Sequence, residues 1–340
     1  MNSSIIAFSK YLAHPIGGAE ISMYSILKKE ILQGKTVKLI AFRGVKNFGA
    51  ETIVFDSSFK WDFEYIDPLV QFTKFMHYEY LLNRHRVMEF FKNLESSKSN
   101  LYTYSIYAPA AILAYKGEST YFIRSANDLL VRENYFQGLK RNLKDIYSLF
   151  EKPSIEQYKK DLIVALNKSK VITNSHFMSD LLQKRFNISS IVKYPNVDVK
   201  GIKKDILTSK NVETKGIVFV GDLPIKGTEL AYQIAQLMPD QIFYFFSRYQ
   251  KKREKIGNIY KMPWQKSKAE IYNKALVVIV PSICQEAFGR VSREAFLLGI
   301  PVLVSNVGGL PESVNYKSES IINKYTQVHE WVKRIKEFLG

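Results

Sequence analysis

Short apolar runs alternate along this chain with stretches whose apolar positions recur at helical spacing. That pattern predicts a mainly parallel sheet covered on both faces by helices. The first run, Ile5-Ile6-Ala7-Phe8, reads as a strand, with Gly17-Gly18 in the loop after it. A helix follows from about Ala19 to Leu32, closed by Gly34. Val37 to Phe42 is the next predicted strand, and Leu101 to Tyr104, Tyr121 to Arg124 and Val171 to Thr173 are three more. Asp67-Pro68 reads as an N-cap with proline at the first helical position, opening a long helix towards Leu94. Ser175 is placed to cap a helix reaching Arg185.

Tyr194-Pro195-Asn196 interrupts the alternation and reads as an interdomain linker, after which a second set begins. Its strands are Ile217 to Val220, Ile242 to Phe246, Leu276 to Val280 and Val302 to Val304. Its helices run from about Gly227 to Met238, Lys268 to Lys274 and Arg290 to Leu298. A last helix, about Gln327 to Leu339, places Val328, Trp331, Val332, Ile335 and Phe338 on one face. The expected fold class is α/β, with two Rossmann-like, doubly wound parallel-sheet domains at 1–195 and 198–325.

Composition sets bounds on this picture. A chain of 340 residues suits two domains, and no apolar run approaches the roughly 20 residues that a membrane span needs. The amino terminus has neither a basic flank nor a cleavage-like region, so no secretory leader is expected. The single cysteine, Cys284, excludes an internal disulfide, and the cytoplasm is the natural compartment. The net charge is +17, with nine of the excess positive charges before residue 201 and eight after it. A nucleic-acid binder concentrates its charge in a patch or tail, so no nucleic-acid partner is expected. A distributed excess suits an anionic small-molecule cleft and a peripheral position on an anionic inner membrane surface. A lysine-rich composition accounts for it as readily. His14, His77, His85, His176 and His329 have no metal-ligand spacing, and Asp-x-Asp is absent, so no metal is expected.

The chemistry concentrates in Pro281 to Glu312. A predicted buried strand ends at Pro281-Ser282, a loop carries Glu286-Ala287-Phe288-Gly289, and a helix starts at Arg290. Ligands of open α/β sheets lie beyond the carboxyl ends of the strands. The N–H groups of Gly289, Arg290, Val291 and Ser292 make an anion site at that helix start, where Gly289 lets backbone approach closely. Glu286 and Glu294 on either flank are good acceptors for sugar hydroxyls, although carboxylates also stand near helix starts for the dipole alone. In a second segment, Lys226-Gly227-Thr228 opens the helix after Ile217 to Val220. A lysine there disfavours the helix dipole and asks for a compensating anion.

The segment PSICQEAFGRVSREAFLLGIPVLVSNVGGLPE resembles the donor-binding signature of family 4 glycosyltransferases, a Glu, seven residues and a second Glu. Such proteins have the GT-B fold, in which two Rossmann-like domains face a central cleft. The resemblance implies that Glu286 holds hydroxyls of the donor sugar and Glu294 the ribose, with Phe288, Gly289, Arg290 and Val291 also at the donor. It implies that Lys226, followed by Gly227, contacts the diphosphate, and that Gly17 and Gly18 form the glycine loop reaching the phosphates from the first domain. It also implies that the carboxy-terminal helix, 326–340, rejoins the first domain. Two positions depart from the pattern. Asp222 stands where the family has an arginine, so Arg248 or Arg290 is expected to supply the missing charge. Asn127, in Ser125-Ala126-Asn127-Asp128, stands where many members have a histidine touching the donor sugar; it can hydrogen-bond a hydroxyl but cannot titrate near neutrality.

The expected reaction is a retaining, metal-independent transfer of a hexosyl unit from a UDP- or GDP-linked sugar, a substrate rather than a cofactor. The acceptor is a hydroxyl of a glycan or lipid-linked molecule in bacterial-type surface polysaccharide assembly. Glu286, Lys226 and Asn127 carry the chemistry in that reading. A nucleotide-sugar epimerase of the same fold is one alternative. A non-catalytic nucleotide-sugar- or glycan-binding component of an envelope assembly complex is another, and Asp222 and Asn127 favour it.

Overall fold

The computed structural model describes residues 4–13, 17–45, 61, 63–71, 76–95, 99–130, 141–208, 214–221, 223–265 and 267–340. Two compact units divide between Tyr194 and Pro195.

Among the described residues the first unit holds seven strands: β1 (Ser4–Phe8), β2 (Thr36–Phe42), β3 (Phe63–Ile66), β4 (Ser99–Tyr104), β5 (Ser119–Ile123), β6 (Lys170–Thr173) and β7 (Ile191–Val192). Their order is β3-β2-β1-β4-β5-β6-β7, and every neighbouring pair is parallel. The chain winds outward from β1 to β3 and then crosses back to β4, so the strand order reverses between β1 and β4. The sheet is covered by α1 (Gly18–Leu32), α2 (Met76–Asn93), α3 (Ala108–Ala114), α4 (Arg141–Lys168) and α5 (His176–Phe186). Alternation along β1 feeds two cores. Ile5 and Ala7 join Met23 and Leu27 of α1, while Phe8 stacks obliquely on Phe91 of α2 with ring centroids 4.9 Å apart.

Two features of this unit differ from the sequence pattern. Asp67-Pro68 does not open a helix: residues 67–71 carry no helix, and α2 begins at Met76. Asp67 instead accepts from Arg43 Nε at 2.7 Å, and the amides of Leu69 and Val70 donate to Asn83 Oδ1. The pattern also gives no element between Arg124 and Val171, where α4 runs for 28 residues with Pro153 inside it. Its last residue anchors the unit, because Lys168 Nζ donates to the carbonyls of Ile112, Leu113 and Tyr115 at the carboxyl end of α3.

The second unit repeats the plan. Its strands are β8 (Gly216–Val220), β9 (Phe243–Ser247), β10 (Glu254–Ile256), β11 (Ile259–Pro263), β12 (Ala275–Val280), β13 (Val302–Ser305) and β14 (Ile321–Ile322), in the order β10-β11-β9-β8-β12-β13-β14. All neighbours are parallel except the hairpin pair β10 and β11. The order reverses between β8 and β12. Its helices are α6 (Val199–Thr208), α7 (Thr228–Gln236), α8 (Ala269–Tyr272), α9 (Arg290–Leu298), α10 (Leu310–Ser313) and α11 (Val328–Leu339).

The terminal helix, α11, packs within the second unit. Fully buried Trp331 and Ile335 pack with Ile217, Phe219, Ala231 and Ile234 in the second unit's own core, and Trp331 Nε1 donates to Tyr325 O at 2.8 Å. The apolar face of α11 was legible, but an amphipathic stripe does not say which sheet it covers.

In the β10–β11 hairpin turn, Asn258 Nδ2 donates to the carbonyls of Ala235, Met238 and Gln241 at 2.9–3.0 Å. One side chain thus ties together three carbonyls at and just beyond the end of α7, two of which, Ala235 and Met238, also accept backbone amides. Asn258→Ala is expected to cost about 1–3 kcal/mol, read as a lower denaturant midpoint at unchanged slope.

Candidate functional site

The site is built at the place in the second sheet where the strand order reverses. The loop after β8 makes a short turn, Pro224–Lys226, and Gly227 then starts α7 with φ +78. The loop after β12 passes alongside: Ile283 N donates to Ile225 O at 2.9 Å, and a Cβ on Gly227 would lie 1.9 Å from Pro281 O. Glycine at 227 is therefore needed twice, for the left-handed backbone and for the approach of the two loops. The loop after β13 supports them from the other side. Gly309 N donates to Glu286 O at 2.7 Å, and a Cβ on Gly308 would lie 2.4 Å from that same oxygen. The Gly-Gly-Leu-Pro-Glu segment thus fixes the backbone that carries Glu286.

This framework brings Lys226 and Glu286 together. Lys226 Nζ lies 2.5 Å from Glu286 Oε1, which also accepts from Ser282 Oγ at 2.8 Å. The glutamate side chain is 15% exposed and the lysine 35%. Burial alone would raise the Glu286 carboxyl. The Lys226 ammonium, with hydrogen bonds from Lys226 and Ser282, outweighs burial and holds it below the usual glutamate value. Ser282 is a contributor that sequence reasoning passed over; its signal was the Pro-Ser step at the end of the predicted strand.

Gly289, with φ +94, precedes α9, whose amino end has no side-chain cap. The first-turn N–H groups of α9 have no acceptor within the helix. Arg290 Nε donates to Glu294 Oε1 at 2.8 Å and Nη2 to Asn196 O at 3.3 Å. Its Nη1 is buried without an acceptor among the described residues. Glu294 is 3% exposed. Its Oε1 also takes Lys268 Nζ, and its Oε2 accepts from Tyr272 OH at 2.8 Å. Burial drives the Lys268 ammonium down despite the neighbouring glutamate, and drives the Tyr272 phenol well up. Lys268 and Tyr272 were missed because they belong to α8 and its start, far from Glu294 in sequence.

The other expected residues fall as follows. Phe288 is 2% exposed, so its ring belongs to the interior. Val291 packs partly against the core formed by Val218, Tyr272 and Ala295. Arg248 follows β9, the strand beside β8, and is half-buried. Asp222 and His14 lie outside the described residues.

In the first unit Gly17 is the extended residue before α1, and Gly18 is its first residue. Asn127 lies in the single turn Ala126–Leu129 after β5, where its N–H donates to Ser125 Oγ at 3.2 Å. Arg124, at the end of β5, ties that turn to α1 by donating from Nη1 to Ser22 Oγ at 2.7 Å. Beside Asn127, the Asp128 carboxylate accepts from the amides of Arg124 and Ser125 at 3.3 and 3.1 Å. Burial nevertheless pushes its pKa from 3.8 up to about 7; those amides and the Arg124 charge oppose the rise, and Glu20 adds to it. The folded state therefore holds a proton that the unfolded chain releases near pH 4, and the stability this contributes is lost as pH rises through about 7. Asp128→Asn is expected to gain stability relative to the wild type across that window, measured by denaturant unfolding at a series of pH values. A pH-independent difference would show that Asp128 titrates normally.

Two doubly wound parallel-sheet units in this order have the GT-B architecture. Residues 208–340 match the family described as glycosyl transferases group 1, so the second unit is homologous to that family. A stretch of 71 residues is 37% identical to the D-inositol 3-phosphate glycosyltransferase of Mycobacteroides abscessus, covering 21% of this chain and 16% of that protein. Two solved structures agree over the whole chain. Sucrose-phosphate synthase from Thermosynechococcus elongatus superposes with a TM-score of 0.70 at 14% identity, covering 99% of this chain and 90% of that one. Anabaena HepE in complex with UDP-glucose superposes with a TM-score of 0.67 at 14% identity, with the same coverage. At those identities the likeness is one of fold. Among the described residues, no cluster of His, Cys, Asp or Glu could hold a metal ion, and no helix is long and apolar enough to cross a membrane.

Proposed function

We propose that this protein is a glycosyltransferase that moves a sugar from a nucleoside diphosphate sugar to a hydroxyl acceptor, with retention and without a metal ion. The observation that carries the reading is the Lys226–Glu286 pair, placed where the strand order reverses and on the loop leading into α9. The homology of residues 208–340 covers both partners.

The chemistry follows from the charges. Breaking the bond between the anomeric carbon and the diphosphate oxygen leaves negative charge on the departing phosphate. The Lys226 ammonium and the first-turn amides of α9 stabilise that charge as it develops. Buried Arg290 Nη1 supplies one more donor in the same region. Glu286, ionised in the ligand-free protein, accepts hydrogen bonds from sugar hydroxyls while oxocarbenium character grows. The acceptor hydroxyl forms the new bond on the same face, and its proton passes to the leaving phosphate oxygen. Asn127 is assigned a hydrogen bond to the donor sugar, and Gly17 and Gly18 a backbone approach to its phosphates. Glu294 is assigned to the ribose, whose hydroxyl can donate to Oε2 beside Tyr272. The acceptor is a glycan or lipid-linked hydroxyl at an anionic membrane surface in polysaccharide assembly; the excess of positive charge in both halves supports it.

The test is a thermal-shift screen of UDP, GDP and ADP and their sugars, followed by an assay of nucleotide release with EDTA present. A ligand that binds only the folded state raises its melting temperature. The expected result is stabilisation by one nucleotide series and release of its diphosphate, with the product anomer matching the donor by NMR. No stabilisation by any nucleotide and no release would sink the reading, whereas sugar isomerisation without an acceptor would make the protein an epimerase.

A further inference from the structure

In the ligand-free protein the groups assigned to phosphate and to sugar neutralise each other. Lys226 Nζ and Ser282 Oγ both donate to one oxygen of Glu286, on a side chain that is 15% exposed. A diphosphate that recruits Lys226 must draw it away from that carboxylate or share it. Two ligands then present opposite situations. An intact donor brings a diphosphate for Lys226 and sugar hydroxyls that donate to Glu286, so both partners are satisfied after the exchange. A spent nucleoside diphosphate has lost the sugar whose hydroxyls would meet Glu286, and it carries a terminal phosphate with additional negative charge. It leaves the carboxylate facing that phosphate with only Ser282 as a named donor. A poorly exposed carboxylate near a phosphate is strongly unfavourable, because the attraction that offset its burial now serves another anion.

We infer that the Lys226–Glu286 pair is a selector that favours the intact nucleotide sugar over its spent diphosphate and so promotes product release. This rests on the reading of the site as a donor pocket and adds a role to it: Glu286 acts against the product as well as for the substrate. The direction of the Glu286 shift agrees, since Lys226 and Ser282 are what keep a buried carboxyl ionised. The site therefore has a built-in penalty for phosphate that only sugar hydroxyls relieve.

The experiment measures dissociation constants of the full chain for UDP and UDP-glucose, and for GDP and GDP-mannose, by calorimetry. Glu286→Gln keeps the shape and removes the charge. It is expected to tighten diphosphate binding by about tenfold or more, from removal of one close repulsion, while the nucleotide sugar gains less or weakens. The ratio of the two constants then moves towards the diphosphate. Lys226→Gln leaves the carboxylate unpaired and should weaken the diphosphate more than the nucleotide sugar, which keeps the test open if the first variant does not fold. Wild-type binding with an unchanged ratio in both variants would overturn this inference alone. Failure of every nucleotide to bind the wild type would overturn it together with the donor-pocket reading.

Discussion

Glu286→Ala and Lys226→Ala are each expected to lower turnover by about 10²–10³-fold, the scale seen when one preorganised charge-stabilising group is removed. The two variants should differ in stability. Without Lys226, Glu286 keeps its low exposure and loses the ammonium that offsets burial, so its carboxyl rises and its charge is left poorly matched. Without Glu286, Lys226 remains 35% exposed and can turn to water. The lysine variant is therefore the less stable of the two. Because the groups touch, the double variant should lose far less than the product of the single losses. Turnover near the wild-type rate in a folded single variant would remove this pair from the chemistry. So would additive losses in the double variant, since they would mean that the two groups act independently.

The sequence pattern carried much of this site. Gly289 and Gly299 bound α9 so sharply that its predicted and observed ends coincide, because both take left-handed backbone. The ends of β8 and β12 were legible because each is a short apolar run stopped by glycine or proline. What could not be read was pairing across elements. Nothing near Glu294 in sequence points to Lys268 or Tyr272, and a seven-residue spacing is blind to the three donors that its carboxylate accepts from. Local signals also misled where tertiary contacts won. Asp67-Pro68 has helix-cap chemistry, yet Arg43 takes the Asp67 carboxylate and Asn83 takes the following amides. In α4, Pro153 hides a long helix from a reading that treats proline as a stop, and Ser154 Oγ bonds back to Glu151 O beside it.

Gly227→Ala is the most damaging conservative change the structure predicts, and it reaches stability and ligand binding through one contact. The added methyl would stand 1.9 Å from Pro281 O, and that carbonyl belongs to the backbone leading through Ser282 to Glu286. It cannot swing aside as a side-chain tip would, because Ile283 N is hydrogen-bonded to Ile225 O across the same two loops. The loops must part, and Lys226 moves away from Glu286 with them. Overpacking together with a left-handed alanine is expected to cost about 2–5 kcal/mol. Gly34→Ala is the matched control: its φ is +82, close to the +78 of Gly227, yet nothing lies within 4 Å of its added methyl. It should show backbone strain alone, about 1–2 kcal/mol, with nucleotide affinity unchanged. Unfolding and calorimetry on the two variants therefore separate conformation from contact. Equal losses in both, with equal nucleotide affinity, would mean that the loops after β8 and β12 do not hold the site as a unit.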